Sequence, residues 1–599
     1  MSDYTAPVED MRFALRELAG LDEIAALPGY EDASPDVVDA VLSEAARLAS
    51  EVLAPLNSVG DREASVLENG IVRTPRGFRE AYARFVEGGW GSLPFDPDHG
   101  GQGLPWTLAV TVQEMWNSAN LSFALAPLLT QGAVELLQTH GSPAQKATYL
   151  PKLIAGTWSG TMNLTEPQAG SDVGALKTRA VRDGDRYRIT GQKIFVTWGE
   201  HDCAHNVVHM VLARTPGAPD GTRGISLFIV PKVLVMDDGT LGPRNDLRCV
   251  SLEQKLGIHA SPTCVMAYGD SGGAEGYLVG EENRGMEYMF TMMNNARLSV
   301  GVQGLAIGER AYQRARAFAN ERVQGRAIGS RGGPGVAIAE HPDVRRMLMT
   351  MKANTEAARA LAYCAAAALD RAKRHPDKAE RAKAQARIDL LTPVVKAWAT
   401  DCGCETASLG VQIHGGMGFI EETGAAQYYR DARILPIYEG TNGIQALDLL
   451  TRKLLRDRGA AAKAMIGEMQ ETLALIGGED ATGPIAAAAA QASGTLAEVT
   501  DWLLEAGARD LRRAAAGASP YLRLFGYVAG GWLMARAAAA ARRRLTGGPQ
   551  TGHASRGFLE AKIATARFYA DNILPRAAAE AAAVTRGADS TLAFDSTQF

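Results

Sequence analysis

The side chains that could do chemistry fall in clusters, and the most conspicuous clusters have ordinary readings. His201, Cys203, His205 and His209 lie close together, and imidazole and thiolate are zinc ligands. Residues 206–212 read as a strand, however, where side chains four apart share a face but stand roughly 13 Å from one another, too far for one ion. Gly269-Asp270-Ser271-Gly272-Gly273 has the form of a serine nucleophile loop, which needs a histidine base and an orienting aspartate. Here it is one loop in a mainly helical chain and reads as a glycine-rich turn. Cys402 and Cys404, two apart on a helical pattern, face different directions and read as core thiols. The G-x-G-x-x-G fingerprint and the phosphate-binding P-loop are both absent, so a nicotinamide dehydrogenase of the usual fold and an NTPase have no support.

Four further stretches are each, taken singly, no more than a polar turn or a strand end. They are Thr165-Glu166-Pro167-Gln168-Ala169-Gly170-Ser171-Asp172, Gly191-Gln192-Lys193-Ile194-Phe195-Val196-Thr197, Gln412-Ile413-His414-Gly415-Gly416-Met417-Gly418-Phe419 and Ile437-Tyr438-Glu439-Gly440-Thr441-Asn442. The elements that must position them follow from periodicity. From Ser34 and Pro35 a helical stripe runs through Val38, Val41, Leu42, Ala45, Leu48, Ala49, Val52 and Leu53. More helical stripes fill 106–153, broken by Gly, Pro and Asn turns. Between about 161 and 280 the texture becomes β-rich, with runs at 187–190, 207–213 and 225–230 and turns at Asp183-Gly184 and Asp238-Gly239. Helical patterns return over 285–456, interrupted by a glycine-rich loop at 329–335 and the turn at 415–418. An Ala-rich helical segment follows, with a loop at 547–552 and a polar, frayed tail after Arg586.

The chain has 599 residues, which suggests about four domains at roughly 150 residues each, or one large multi-lobed enzyme. The reading is an α+β, mainly helical protein: a helical domain over 1–160, a β domain over 161–284, a helical bundle over 285–456 and a helical extension over 457–599. A net charge of −5 from 62 Lys+Arg and 67 Asp+Glu gives no general attraction to nucleic acid. Six cysteines in so long a chain make no disulfide scaffold and suit a reducing compartment. The acidic N-terminus lacks a secretory pattern, and the most apolar helical stretch, 524–535, is too short to span a bilayer. A cytoplasmic protein is expected.

In this order and spacing the four stretches resemble the acyl-CoA dehydrogenase family of flavoenzymes. The resemblance covers about 35–455 and includes Leu278-Val279-Gly280-Glu281-Glu282-Asn283-Arg284-Gly285 and Ala319-Asn320-Glu321-Arg322. It implies a helical lobe, a central β domain, a helical bundle and FAD. By the same resemblance, Leu164, Thr165, Gly170 and Ser171 lie along the flavin, with Ser171 also near the substrate. Phe195 and Thr197 flank the isoalloxazine, Thr441 touches the cofactor, and Arg322, Gln324, Gln412 and Gly416 reach FAD from a neighbouring subunit, so a homo-oligomer follows. Glu439 matches the family base that removes the proton α to a thioester carbonyl while the β-hydrogen leaves as hydride. Excluding water would raise its pKa and strengthen it. Arg297 matches an arginine near that base. The departures are Phe195 where many members have Trp, and Arg322-Val323-Gln324-Gly325, which lacks the aromatic that usually follows the arginine.

The chain continues for 143 residues from Asp457 to Phe599, beyond where ordinary members end. This extension, the insertion 231–250 and the stretch 253–264 are most similar to a bacterial long-form group, in which the acyl-CoA substrate is 3-methylmercaptopropionyl-CoA or a fatty acyl-CoA. Electron-transfer flavoprotein is the expected acceptor and a dimer the expected assembly. An oxidase using oxygen is an alternative. So is a DNA-associated relative, but 457–599 carries 15 Lys+Arg against 14 Asp+Glu, a net of +1, which is little for a phosphate-binding surface.

Overall fold

A computed structural model of the chain describes residues 4–478, 482–547 and 554–599. Of the loop expected at 547–552, only Gly547 is among them. The chain divides into two compact units. The first comprises Arg47–Leu104 and Ala119–Ser299; the second comprises 4–46, Pro105–Ser118 and Val300–Phe599.

The first unit is built on an eight-stranded sheet. Its strands are β1 (Trp158–Asn163), β2 (Arg179–Asp183), β3 (Arg186–Thr197), β4 (Asn206–Ala213), β5 (Ser226–Pro231), β6 (Leu247–Leu252), β7 (Thr263–Tyr268) and β8 (Ala274–Leu278). The order is β6-β7-β3-β8-β5-β4-β1, with β2 paired to β3. Only β1 and β4 run parallel; the remaining pairs are antiparallel. Every residue of β4 and β5 is buried, the pattern of strands covered on both faces. The Asp183-Gly184 turn joins β2 to β3, with Gly184 at φ 66°. The turn at Asp238-Gly239 closes a separate hairpin of Val233–Val235 with Leu241–Arg244 inside the 231–250 insertion.

Helix Leu121–His140 packs on β1. A Cβ on Gly160 would lie 2.5 Å from that of Ala133, so only glycine permits this approach of strand to helix. Pro127 sits inside this helix rather than breaking it. The breaks come at Asn120, whose side chain caps Phe123 N–H, and at Ser142, which forms a capping box with Gln145. The helix is buried around nearly its whole circumference, and that packing outweighs one lost backbone hydrogen bond.

The second unit is helical. Pro342–Arg374 and Lys378–His414 form a long antiparallel hairpin, its second helix capped by Asp377. The helices Ala460–Ile476, Gly483–Arg509, Ala518–Thr546, Arg556–Phe568 and Arg576–Arg586 follow. The 524–535 stretch is the buried middle of Ala518–Thr546, where Gly526 and Gly530 let the ring of Trp398 come close. No helix among the described residues is long and apolar enough to cross a membrane. The alanine run 486–490 is helical, with Ala486 and Ala489 buried. Residues 4–18, which carry no strong pattern, bury Tyr4, Met11, Phe13, Leu15 and Leu18.

A buried ion network ties this segment to the extension. Arg359 meets Glu114 at 2.5 Å, Asp10 at 2.5 Å and Glu309 at 2.8 Å, and Lys562 meets Asp10 and Glu356. The tail after Arg586 is more ordered than its composition suggests. A short helix, Ala588–Thr591, and a turn, Ser596–Gln598, are held by an Asp595–Gln598 capping box.

Candidate active site

In the first unit the two motif stretches lie side by side. Ile194 N–H donates to Thr165 C=O at 2.9 Å, Thr161 Oγ1 to Thr197 C=O at 2.7 Å, and Lys193 Nζ to Leu164 C=O at 3.0 Å. Leu164, Thr165, Phe195 and Thr197 therefore share one patch of backbone. Its anchor is Glu166, a residue the motif reading passed over. Its carboxylate accepts from Lys193 Nζ at 2.8 Å, Gln168 Nε2 at 2.6 Å, Lys177 N–H at 2.7 Å, Thr178 N–H at 3.0 Å and Thr178 Oγ1 at 2.5 Å. Burial alone would raise its pKa; the Lys193 ammonium and the surrounding donors outweigh burial and hold it down at about 2. Gly170 and Ser171, further along the same loop, are exposed.

Phe195 occupies an unusual place. Lys193 pairs with Met266 and Val196 with Cys264, so Ile194 and Phe195 stand opposite the single residue Val265. This is a β-bulge, the device that re-aims a side chain. Phe195 takes φ 56° and is 58% exposed, whereas Val196 and Trp198 beside it are buried. A non-glycine residue held in the left-handed region costs roughly 1–3 kcal/mol and marks functional positions. Arg297, on helix Gly285–Glu321, is buried, with Nη1 at 3.5 Å from Asn294 Oδ1.

The histidines near this sheet find separate partners. His201 Nε2 meets Ser159 Oγ at 2.8 Å, and His209 Nδ1 lies 3.1 Å from Tyr268 Oη. Burial pulls both imidazoles down to about 3, so both are neutral and part of the core.

In the second unit, Glu439 is half-buried at the apex of a turn, with φ 58° followed by φ 84° at Gly440. Gln445 Nε2 donates to both of their carbonyls, at 3.1 and 3.4 Å. Thr441 caps the next helix, Asn442–Asp448, accepting from Ile444 N–H at 3.2 Å. Asn442 ties the turn to helix Lys378–His414: Nδ2 donates to Asp401 Oδ1 at 2.7 Å and Ala397 C=O at 3.1 Å, and Oδ1 accepts from Lys396 Nζ at 2.9 Å. On the other side Tyr438 Oη donates to Gln303 Oε1, and Gln303 Nε2 donates to Asn117 Oδ1 at 3.2 Å. Burial raises the Tyr438 phenol well above its usual range, and the Glu439 carboxylate adds to this, so Tyr438 stays a neutral donor.

Arg322, Gln324, Gln412 and Gly416 gather at one end of the helices. Phe318 and His414 stack at 4.3 Å, which joins the end of Gly285–Glu321 to the end of Lys378–His414. The expected 329–335 loop is closed by Gln324 N–H to Val336 C=O at 3.0 Å and Ile338 N–H to Arg322 C=O at 2.8 Å. All four side chains or positions are exposed, as are Ile328 at 80% and Phe419 at 88%.

Each unit by itself offers features that fit part of a large, planar, phosphate-bearing cofactor. The exposed Phe195 ring offers a stacking face. A Cβ on Gly170 or Gly416 would meet no protein atom within 4 Å, which leaves room for a bound group, and Arg322 carries the fork that suits a pyrophosphate.

The first unit thus carries an aromatic on a bulged strand of a mixed sheet, and the helical unit carries a carboxylate on a left-handed turn. Four family models match: acyl-CoA dehydrogenase N-terminal domain over 38–157, middle domain over 161–270, C-terminal domain over 283–455, and acetyl-CoA dehydrogenase C-terminal-like over 465–595. The chain belongs to the acyl-CoA dehydrogenase family, FAD-dependent oxidoreductases acting on CH–CH bonds. It is 50% identical over 595 residues to 3-methylmercaptopropionyl-CoA dehydrogenase of Ruegeria pomeroyi, covering 98% of this chain and 99% of that one. It is 35% identical to a broad-specificity linear acyl-CoA dehydrogenase of Mycobacterium tuberculosis, covering 96% of each. Among solved structures, an acyl-CoA dehydrogenase of Bacillus anthracis complexed with FAD superposes with a TM-score of 0.73 at 22% identity, over 94% of this chain and 90% of that one.

Proposed function

We propose that the chain oxidises the Cα–Cβ bond of 3-methylmercaptopropionyl-CoA, giving methylthioacryloyl-CoA, with Glu439 as the base. The observation that carries this substrate is the 50% identity to the Ruegeria enzyme along essentially the whole of both chains, extension included. The likeness to the broad-specificity mycobacterial enzyme supports a second reading, a fatty acyl-CoA dehydrogenase.

Bound FAD would supply the acceptor for the hydride leaving Cβ. The rest falls to this chain. Glu439 takes the α-proton, and its backbone N–H donates to the thioester oxygen, where charge builds as that proton leaves. The turn that fixes its carboxylate is held by Gln445 below and by Tyr438 and Asn442 on either side. Arg297 positions the base. Leu164, Thr165, Gly170, Ser171 and Thr197 hold the flavin edge, Phe195 stacks against it and Ser171 also faces substrate. Arg322, Gln324, Gln412 and Gly416 complete the cofactor site of a second copy, which makes the enzyme a homodimer; their exposure beside Ile328 and Phe419 supports this. Thr441 reaches the cofactor from the base loop. Electrons pass on to an electron-transfer flavoprotein. All six cysteines are unpaired, which supports a reducing, cytoplasmic setting.

The test is anaerobic titration of the flavin with a panel of acyl-CoAs, for wild type and Glu439→Gln. 3-Methylmercaptopropionyl-CoA bleaches the wild-type flavin fastest, and the variant slows bleaching by about 10²–10⁴-fold. Faster bleaching by butyryl- or octanoyl-CoA would move the assignment to fatty acyl-CoA, and an unimpaired variant would remove Glu439 from the chemistry.

A further inference from the structure

The 143-residue extension has no part in the site described above. Within the second unit, its helices Ala460–Ile476 and Ala518–Thr546 line a half-open cavity of about 490 Å³ together with the turn Ala14–Ala19 and the hairpin Pro342–Arg374/Lys378–His414. None of the flavin or substrate residues lines it. Its volume suits a small organic ligand.

The charges around this cavity are unequal. Arg371 is neutralised by Glu23 at 2.9 Å, and Arg387 by Glu468. Arg16 and Arg536 also line the cavity and are half-buried, and neither has a carboxylate within 4 Å among the described residues. Arg536 donates to Leu18 C=O at 3.0 Å, and its guanidinium lies over the ring of Trp532 at 4.9 Å. Cys364, on the cavity wall, reports the field: burial pushes its thiol up, while Arg536, Arg387 and Arg371 each pull it down.

One further observation asks for a missing partner. Trp532 is only 3% exposed, and its indole N–H has no acceptor among the described residues; a buried polar group left unsatisfied costs about 1–3 kcal/mol. The wall Ala14–Ala19 is a helical turn ended by Gly20 at φ 73°. The remaining surface includes the apolar Leu361, Leu391 and Met465.

We propose that this cavity binds an amphiphilic organic anion, a small carboxylate with an alkyl body. Its carboxylate lies on Arg536 and Arg16, and its chain packs against Trp532 and the aliphatic wall. The site is assembled only because the extension folds onto the N-terminal segment and the hairpin, so it gives the extension a binding role independent of the catalytic reading.

The experiment is isothermal titration of the full-length flavin-loaded enzyme with octanoate and, separately, with inorganic phosphate. Octanoate binds saturably, and Arg536→Met and Arg16→Met each weaken it by about tenfold or more, the loss of a charge-assisted bond. Arg16 makes no ion pair or side-chain hydrogen bond among the described residues, so Arg16→Met keeps the test valid should Arg536→Met loosen the contact with Leu18. In both variants the flavin spectrum and its bleaching by acyl-CoA stay as in wild type. Three results would overturn the proposal: no octanoate binding at about 10 mM, binding displaced by acyl-CoA and indifferent to both arginines, or phosphate binding as tightly as octanoate.

Discussion

The loop that follows Leu164 and the turn that carries Glu439 are both short excursions of backbone, and they are secured by different means. The 166–178 loop is folded around one carboxylate that is itself paired with a fully buried lysine, Lys193. The Glu439 turn depends on neutral amides: Gln445 beneath it and Asn442 between Lys396 and Asp401. The difference follows from the task. The loop has no strand partner of its own over a dozen residues, so one ion must satisfy many donors at once. The turn is only a few residues long, so a few amide hydrogen bonds suffice to hold it. An ion holds the loop, and amide hydrogen bonds hold the turn.

The comparison breaks most sharply at Lys193. Lys193→Met leaves Glu166 buried without its counter-ion, a change worth about 3–5 kcal/mol. Denaturant unfolding shows that loss, and flavin retention falls with it; Glu166→Gln in the same chain restores most of both. Retained stability in the single variant would mean that the backbone donors alone hold the loop.

The same ion gives a pH signature. Glu166 lies at about 2 in the folded protein against 4.5 for the free side chain, so its contribution is complete above pH 4.5 and is lost as pH falls toward 2. Acid unfolding followed between these limits is steeper in wild type than in the Lys193→Met/Glu166→Gln double variant. Equal slopes would assign the acid transition to other carboxylates.

Asn442→Ala removes the amide hub and strands Asp401 and Lys396, for a loss of about 2 kcal/mol. It slows acyl-CoA bleaching while flavin binding is kept, the reverse of the Lys193 phenotype. The smallest effect is at Gly440. Its φ of 84° and the approach of Gln445 Nε2 to 2.8 Å from an added Cβ make Gly440→Ala cost about 1–2 kcal/mol, seen as a lower melting temperature and a modest fall in bleaching rate.

The segments proposed for the site are contiguous in the chain: the Glu439 turn, the Gly170-Ser171 loop and the strand ending at Thr197 each occupy one short run. Strand and helix textures were legible for the same local reason, down to the Asp183-Gly184 and Asp238-Gly239 turns. What escaped is held together by distant residues. Lys193 lies 27 positions from Glu166, and Lys396 lies 46 from Asn442. Residues 4–18 have weak periodicity yet are buried, because their partners include Arg359 and Lys562. Pro127 lies inside a helix because burial of that helix outweighs one local preference.

The residue order therefore carries the chemistry and the succession of helical and β segments, since both depend on neighbours a few positions apart. Phe195 on its bulge, the ion under the 166–178 loop and the cavity beside the extension exist only after folding. Each depends on side chains that no local pattern relates, and on burial, which acquires a value only when the packed chain has excluded water.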